Sequence, residues 1–292
     1  MTLDQLNAIS PAAFAAVLGG IYEHSPWVAE AVVGQRPFAT VLALHAAMER
    51  AVRGAPRETV EALIAAHPDL AGKAALAGDL TRHSSDEQAS AGLDRLSPGE
   101  FARFQKLNSA YKARFGMPFI VSVRRHSRAS ILEEFERRLG HDAAAEHAVA
   151  LDEIIRIAAL RLDAEVEGLG RLRLAGRLST HVLDTHLGRP AAGVGVALWE
   201  LSPDSPARLV TRALTNADGR TDAPLIGARP VPRGRYELVF SVGAYFEGRS
   251  LDLPSPAFLD EVPVRFAVAE PEANYHVPLV VTPWSYATYR GS

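Results

Sequence analysis

The chain has 292 residues, a length at which a single core stops growing, so two domains are the natural expectation. Apolar residues make up 48% and charged residues 22%, and the net charge of -3 offers no broad basic surface to nucleic acid or anionic lipid. Small polar or anionic metabolites remain possible partners, since a local basic site needs no basic average, and the absence of cysteine excludes disulfides, thiol nucleophiles and cysteine-ligated zinc.

The first ten residues, MTLDQLNAIS, carry an acidic residue and no basic one ahead of the first apolar stretch. That stretch, around residues 12–22, is too short and too interrupted by glycine to span a bilayer, so a cytoplasmic protein is expected. Up to about residue 165 the pattern is helical. Residues 38–52 (FATVLALHAAMERAV) and 60–66 space their apolar side chains by three and four, the stripe of a packed helix. Ser97, Pro98 and Glu100 form a cap, a first-turn proline and a capping-box acid, opening a helix that ends near Gly116. Residues 130–139 and 144–166 supply two more helices. Only FIVSV, residues 119–123, reads as extended.

Three patches in this half could carry chemistry. His67 stands before a proline in His67-Pro68-Asp69-Leu70, which presents it at a helix end. Complementing the helix dipole is the plain alternative. In SSDEQASAGL, residues 84–93, Ser84 and Glu87 have capping-box spacing, so capping competes with function. Arg124 follows the apolar run 119–123.

After GLGRLRLAGR, residues 168–177, proline and glycine become frequent and apolar residues alternate. Residues 194–199, 208–214, 236–242, 264–268 and 275–281 read as strands, 216–219 and 232–234 as turns, and 255–260 as a short helix. The sum is a β-sandwich of about 115 residues. Its polar residues fall in LSTHVLDTHLGRPA (178–191), TNADGRTD (215–222) and YHVPLVVTPWSYATYRGS (275–292). Singly, His181 and His276 read as hydrogen-bonded strand histidines, Arg220 as a solvated turn residue and YRGS as a frayed tail. His186 has no cysteine or close carboxylate pair to make a zinc site with His181.

Together, H-V-L-D-T-x-x-G-x-P, T-N-x-D-G-R and Y-H-V-P-L with the terminal Y-R-G-S resemble 5-hydroxyisourate hydrolase, the transthyretin-related enzyme family, over residues 177–292. The resemblance implies a sandwich that assembles as a tetramer. Its sites would lie at the dimer–dimer interface and use His181, Arg220, His276 and Tyr289, with Ser292 nearby. A neutral imidazole can take a proton from water near pH 7, and a guanidinium can stabilise the developing oxyanion. Arg220 suits the second task and either His181 or His276 the first. The rival reading is a small-molecule binding module, since transthyretin uses the same fold as a carrier.

H-P-D-L and S-x-x-E-Q-x-x-A-G-L, with S-P-W-V-A-E at 25–30 and F-x-x-L-N-x-A-Y at 104–111, resemble the decarboxylase of 2-oxo-4-hydroxy-4-carboxy-5-ureidoimidazoline (OHCU) over residues 1–165. That resemblance implies an all-helical, cofactor-free, usually dimeric domain that yields S-allantoin and carbon dioxide. It carries over site residues to His67, Pro68, Ser84, Ser85, Asp86, Glu87 and Gln88. Phe119, Ile120, Val121, Ser122, Val123 and Arg124 complete the set. His67 would donate a proton or orient, Arg124 would anchor oxygens, and Glu87 would either destabilise a substrate carboxylate or bind the ureido group. A non-catalytic helical scaffold is the alternative. The expected organisation is an all-α domain (1–165), a partly ordered linker (166–176) and an all-β sandwich (177–292). It acts on purine-derived small molecules without cofactor or metal, and forms a homo-oligomer, a tetramer through the C-terminal domain.

Overall fold

In the computed structural model, which describes residues 1–72, 80–249 and 253–291, the chain divides into two units. One comprises Met1–Arg124 and Ile131–Arg173, the other Arg125–Ser130 and Leu174–Ser292. Among the described residues no helix is long and apolar enough to cross a membrane.

The first unit is helical: α1 (Leu3–Ala8), α2 (Pro11–Leu18), α3 (Trp27–Val32), α4 (Val41–Arg53), α5 (Arg57–Ala65), α6 (Arg82–Ser90), α7 (Pro98–Phe115), α8 (Arg128–Arg138, from Ile131 onward) and α9 (Ala143–Glu165). Local chemistry sets the ends. Ser97 and Glu100 cap α7 reciprocally with Pro98 in the first turn, and Gly116 stops it at φ +72°, a left-handed conformation that glycine adopts without strain. The core packs around Phe104, Tyr111, Phe119 and Phe135, with the Phe119 and Phe135 rings stacked 3.6 Å apart. Burying each phenylalanine contributes about 2–3 kcal/mol. Helix α9 lays Ala150, Ile154, Ile157 and Ala158 along its buried stripe, and Arg161 continues it.

Two local expectations are corrected in this unit. Residues 119–122 are extended but join no sheet, and Val123–Arg125 form a 3-10 turn. Side chains do the work of a ladder: Glu153 accepts from the Ser122 N–H at 2.7 Å, and Arg138 Nη1 donates to the Ile120 carbonyl at 2.7 Å. Helix α6 is capped by Thr81, whose hydroxyl accepts from the Ser84 N–H, so Ser84 and Glu87 are not a capping box. One turn inside the helix, both side chains are free to face inward.

The second unit is a sandwich. Strands β1 (Gly176–Ser179) and β2 (Val182–Asp184) follow one another, as do β9 (Asn274–His276) and β10 (Leu279–Val281). Pairing is parallel, β1 with β9 and β2 with β10, and β6 (Ile226–Arg229), β3 (Arg189–Pro190) and β11 (Tyr286–Thr288) extend these two sheets. The third sheet is antiparallel, in the order β5 (Arg208–Leu214), β4 (Gly195–Leu201), β7 (Gly234–Ser241) and β8 (Glu261–Val268). Alternation buries Val196 and Leu198 of β4 and Tyr236, Leu238 and Phe240 of β7 in one core with Leu178, Val182 and Leu279. The single strand expected over 275–281 is broken at Val277-Pro278, because proline has no N–H for a ladder. The short helix expected over 255–260 is absent: residues 253–260, with Pro254 and Pro256, form bends. The helix lies instead at α10 (Val242–Glu247), where Val242, Tyr245 and Phe246 share a buried face.

Candidate active sites

The helical unit closes a narrow cavity of about 30 Å³, room for about two waters. His67 reaches it from just beyond the end of α5. Its Nδ1 lies 2.9 Å from the Leu63 carbonyl, which can only accept, so that nitrogen carries the hydrogen and Nε2 keeps its lone pair. Burial pushes the His67 pKa down to about 4, against opposing pulls from the Leu63 carbonyl and Glu23, so the ring is neutral near pH 7.

From α6, Ser84, Glu87 and Gln88 stand at helical spacing on the buried face and line the cavity, whereas Ser85 and Asp86 between them are exposed. Pro68, Phe119, Ile120, Val121 and Val123 complete the wall among the expected residues. Ser122 is buried but does not line it, and Arg124 sits half-buried in the 3-10 turn away from the wall. The cavity's guanidinium belongs to Arg161 of α9, 1% exposed, which the sequence reading missed. A signal was there: Arg161 follows Ile154, Ile157 and Ala158 on the apolar stripe of α9, where a solvated arginine does not belong.

Arg161 is saturated by protein. Its Nε and Nη2 donate to the two oxygens of Glu87, each at 2.9 Å, and Nη1 donates to Glu23 at 2.8 Å. The remaining N–H groups meet the Ser84 hydroxyl at 3.3 Å and the Gly20 carbonyl at 3.4 Å. Burial works against this charge, but Glu87 and Glu23 outweigh it and raise its pKa. Glu23 is equally buried and accepts from the hydroxyls of Thr81 (2.7 Å) and Ser84 (2.9 Å). Burial favours its neutral form, yet Arg161 and these donors hold the carboxylate below its usual range. Two carboxylates therefore share one guanidinium beside a neutral imidazole.

In the sandwich, the break between β1 and β2 places His181, and β9 ends on His276. The rings lie within 15° of parallel, with His181 Nδ1 2.6 Å from His276 Nε2. The Ser179 hydroxyl is 2.9 Å from His276 Nδ1. Arg220 is exposed and pinned beside His181 by a backbone bridge at the end of the turn 216–219. Gly219, at φ +70°, makes that turn possible, since a Cβ there would lie 2.4 Å from the Val182 carbonyl. Burial, His276 and Arg220 push His181 below the ordinary imidazole pKa. Burial, Arg220 and Arg177 do the same for His276.

The tail folds back here. Gly291 pairs with His276 through the backbone, its N–H donating to the His276 carbonyl at 2.8 Å, and a Cβ at Gly291 would lie 2.8 Å from the imidazole. Arg290 covers the Tyr275 ring, Tyr289 is exposed, and Ser292 lies outside the described residues. Among the described residues no group of three histidine or acidic side chains is placed to hold a metal.

Two acid–base sites, one in a helical unit and one in a β-sandwich, define a two-site enzyme on a single chain. Comparison with known proteins gives the same division. The OHCU decarboxylase family model matches residues 7–163, and the HIUase/Transthyretin family model matches residues 178–291. A 2-oxo-4-hydroxy-4-carboxy-5-ureidoimidazoline decarboxylase of Haloferax volcanii is 44% identical over 162 residues, 56% of this chain and 94% of that protein. A 5-hydroxyisourate hydrolase of Mesorhizobium japonicum is 54% identical over 117 residues, 40% of this chain and 93% of that protein. The crystal structure of an (S)-allantoin synthase matches over the whole of both chains, at 36% identity and a TM-score of 0.51. The chain belongs to both families, OHCU decarboxylase followed by HIUase/transthyretin, and is a bifunctional enzyme of urate degradation.

Proposed function

We propose that the chain hydrolyses 5-hydroxyisourate at His181, His276 and Arg220, and decarboxylates the OHCU so formed at His67, Glu87 and Arg161 to give S-allantoin. The observation that carries this reading is the pairing on one chain of two sites that suit consecutive reactions. In the first, a neutral imidazole takes a proton from water as the oxygen attacks the ring carbonyl, and Arg220 donates to the oxyanion. The ring C–N bond then breaks and the proton passes to the leaving nitrogen.

In the second, the electrons left by departing carbon dioxide enter the ring C=N bond, whose nitrogen takes a proton from solvent. His67 begins neutral, so it takes the proton of the 4-hydroxyl on Nε2, leaving C4 a carbonyl, and returns it to one face of C5, the carbon that bears the ureido group. Arg161 has no N–H to spare for substrate in this arrangement. Its role is to fix Glu87, whose remaining lone pairs accept from the ureido N–H groups. Holding both reactions on one chain shortens the life of two intermediates that otherwise decay to racemic product. The protein acts in the cytoplasm as a homo-oligomer, a tetramer through its C-terminal unit, with Tyr289 and Ser292 completing the hydrolase site.

Rapid-scan absorbance with 5-hydroxyisourate made in situ from urate tests this. The reading requires two enzyme-accelerated phases, the first slowed by His276→Ala and the second by His67→Ala. Decay of either intermediate at the rate of the urate oxidase blank refutes the corresponding half.

A further inference from the structure

Both family histidines of the hydrolase site are neutral near pH 7, and either could be the base. The hydrogen-bond chain distinguishes them. His276 Nδ1 lies 2.9 Å from the Ser179 hydroxyl, and His276 Nε2 lies 2.6 Å from His181 Nδ1. Each contact holds one hydrogen, so fixing the tautomer of His276 fixes that of His181. Ser179 is held square to His276 by the sheet: the two are register partners in the parallel pairing of β1 with β9, and the Val277 N–H donates to the Ser179 carbonyl at 3.0 Å.

We propose that Ser179 is a positioning residue for the hydrolase reaction: it accepts a hydrogen bond from His276 Nδ1–H, which makes His181 Nε2 the base. This assignment rests on the hydrolase reading of the site. The direction of the bond follows from what the reaction needs: of the two tautomer chains these contacts allow, only one leaves a bare nitrogen on His181 to accept from water. In that chain the nitrogen on the Ser179 side carries the hydrogen. His276 Nε2 is then a lone pair that accepts from His181 Nδ1–H, and His181 presents a bare Nε2 outward.

The proton balance closes. An O–H bond of water breaks and an N–H bond forms at His181 Nε2 while the oxygen joins the substrate carbonyl carbon. The resulting imidazolium donates through Nδ1–H to His276, whose own Nδ1–H stays on Ser179. When the ring C–N bond breaks, the proton on His181 Nε2 goes to the leaving nitrogen and the chain returns to its starting tautomers. Were the tautomers reversed, His181 Nε2 would carry hydrogen and could not accept from water.

The test uses the full chain, whose decarboxylase reaction on preformed OHCU is an internal control. In wild-type protein labelled with 15N histidine, His276 should show a protonated Nδ1 and an unprotonated Nε2. Ser179→Ala should lower kcat for 5-hydroxyisourate by about tenfold, as loss of a group that orients a functional imidazole does. KM should hold within about twofold, as for a loss felt in the chemical step. Decarboxylation should be unchanged, and Ser179→Thr should restore the rate. A wild-type His276 with hydrogen on Nε2 overturns the proposal, and so does Ser179→Ala with wild-type kcat. If Ser179→Ala does not fold, the 15N pattern of the wild type decides alone. Full hydrolysis by both His181→Ala and His276→Ala would instead refute the placement of the hydrolase site at these two histidines.

Discussion

Replacing Glu23 with glutamine removes one of the two carboxylates facing the Arg161 guanidinium while leaving side-chain size and one acceptor oxygen in place. Glu23, Arg161 and Ser84 are all nearly free of solvent, so water cannot replace what is lost. A charge-assisted hydrogen bond contributes about 1.5–3 kcal/mol, and breaking a buried pair outright costs about 3–5. Because Arg161 and Ser84 donate to the same oxygen of Glu23, a glutamine carbonyl placed there can keep two of the three donors but loses the charge, and the expected loss is about 2 kcal/mol. For a unit of this size that lowers the melting transition by roughly 6 °C.

The loss should fall on the helical unit alone, which calorimetry of the full chain would resolve as one shifted transition beside an unshifted one. Decarboxylase kcat should fall as well, since Arg161 is then free to turn from Glu87, while hydrolysis of 5-hydroxyisourate stays at the wild-type rate. Unchanged melting and unchanged decarboxylation in Glu23→Gln would refute the view that this carboxylate holds the guanidinium in place.

Arg124→Gln should keep decarboxylase activity close to wild type in a steady-state assay, and Arg161→Gln should remove it, because only Arg161 lines the cavity. Gly291→Ala should slow hydrolysis by tenfold or more, on the order of what a small displacement of a reacting group costs. Its Cβ would press on the His276 ring, and the same sample should decarboxylate OHCU normally. Burial pushes the His67 pKa down to about 4 in the folded state, against about 6.5 in an unfolded chain. The unfolded state therefore gains a proton first as pH falls from 6.5 toward 4, and stability drops across that window by up to about 3 kcal/mol. Denaturant melts at several pH values should show this slope in wild type and a flatter one in His67→Asn.

The fold class was legible because it depends on periodicity. Apolar spacing of three and four up to residue 165, then alternation among turns, follows from which faces must be buried. Candidate site residues were legible where they sat in local motifs, such as His67 before Pro68, which lie together on the cavity wall. Arg161 and Glu23 were not, because their meaning depends on each other across 138 residues of chain. A buried ion pair leaves no local pattern beyond a charge on an apolar stripe. The capping alternative for Ser84 and Glu87 fails for a related reason: Thr81, three residues earlier, is the better-placed cap, and this turns Ser84 and Glu87 inward. The strand expected across residues 275–281 shows the reverse case. The proline that breaks it was visible, but only pairing with β1 and β2 shows that the break sets His276 against His181.

The most direct test of the account is circular dichroism of the allantoin formed when the purified protein meets 5-hydroxyisourate generated from urate, with urate oxidase alone as the blank. Two working sites on one chain predict a growing dichroic signal of a single enantiomer. His67→Ala should lose that signal while still removing 5-hydroxyisourate quickly. Racemic allantoin at the rate of the blank would contradict the account.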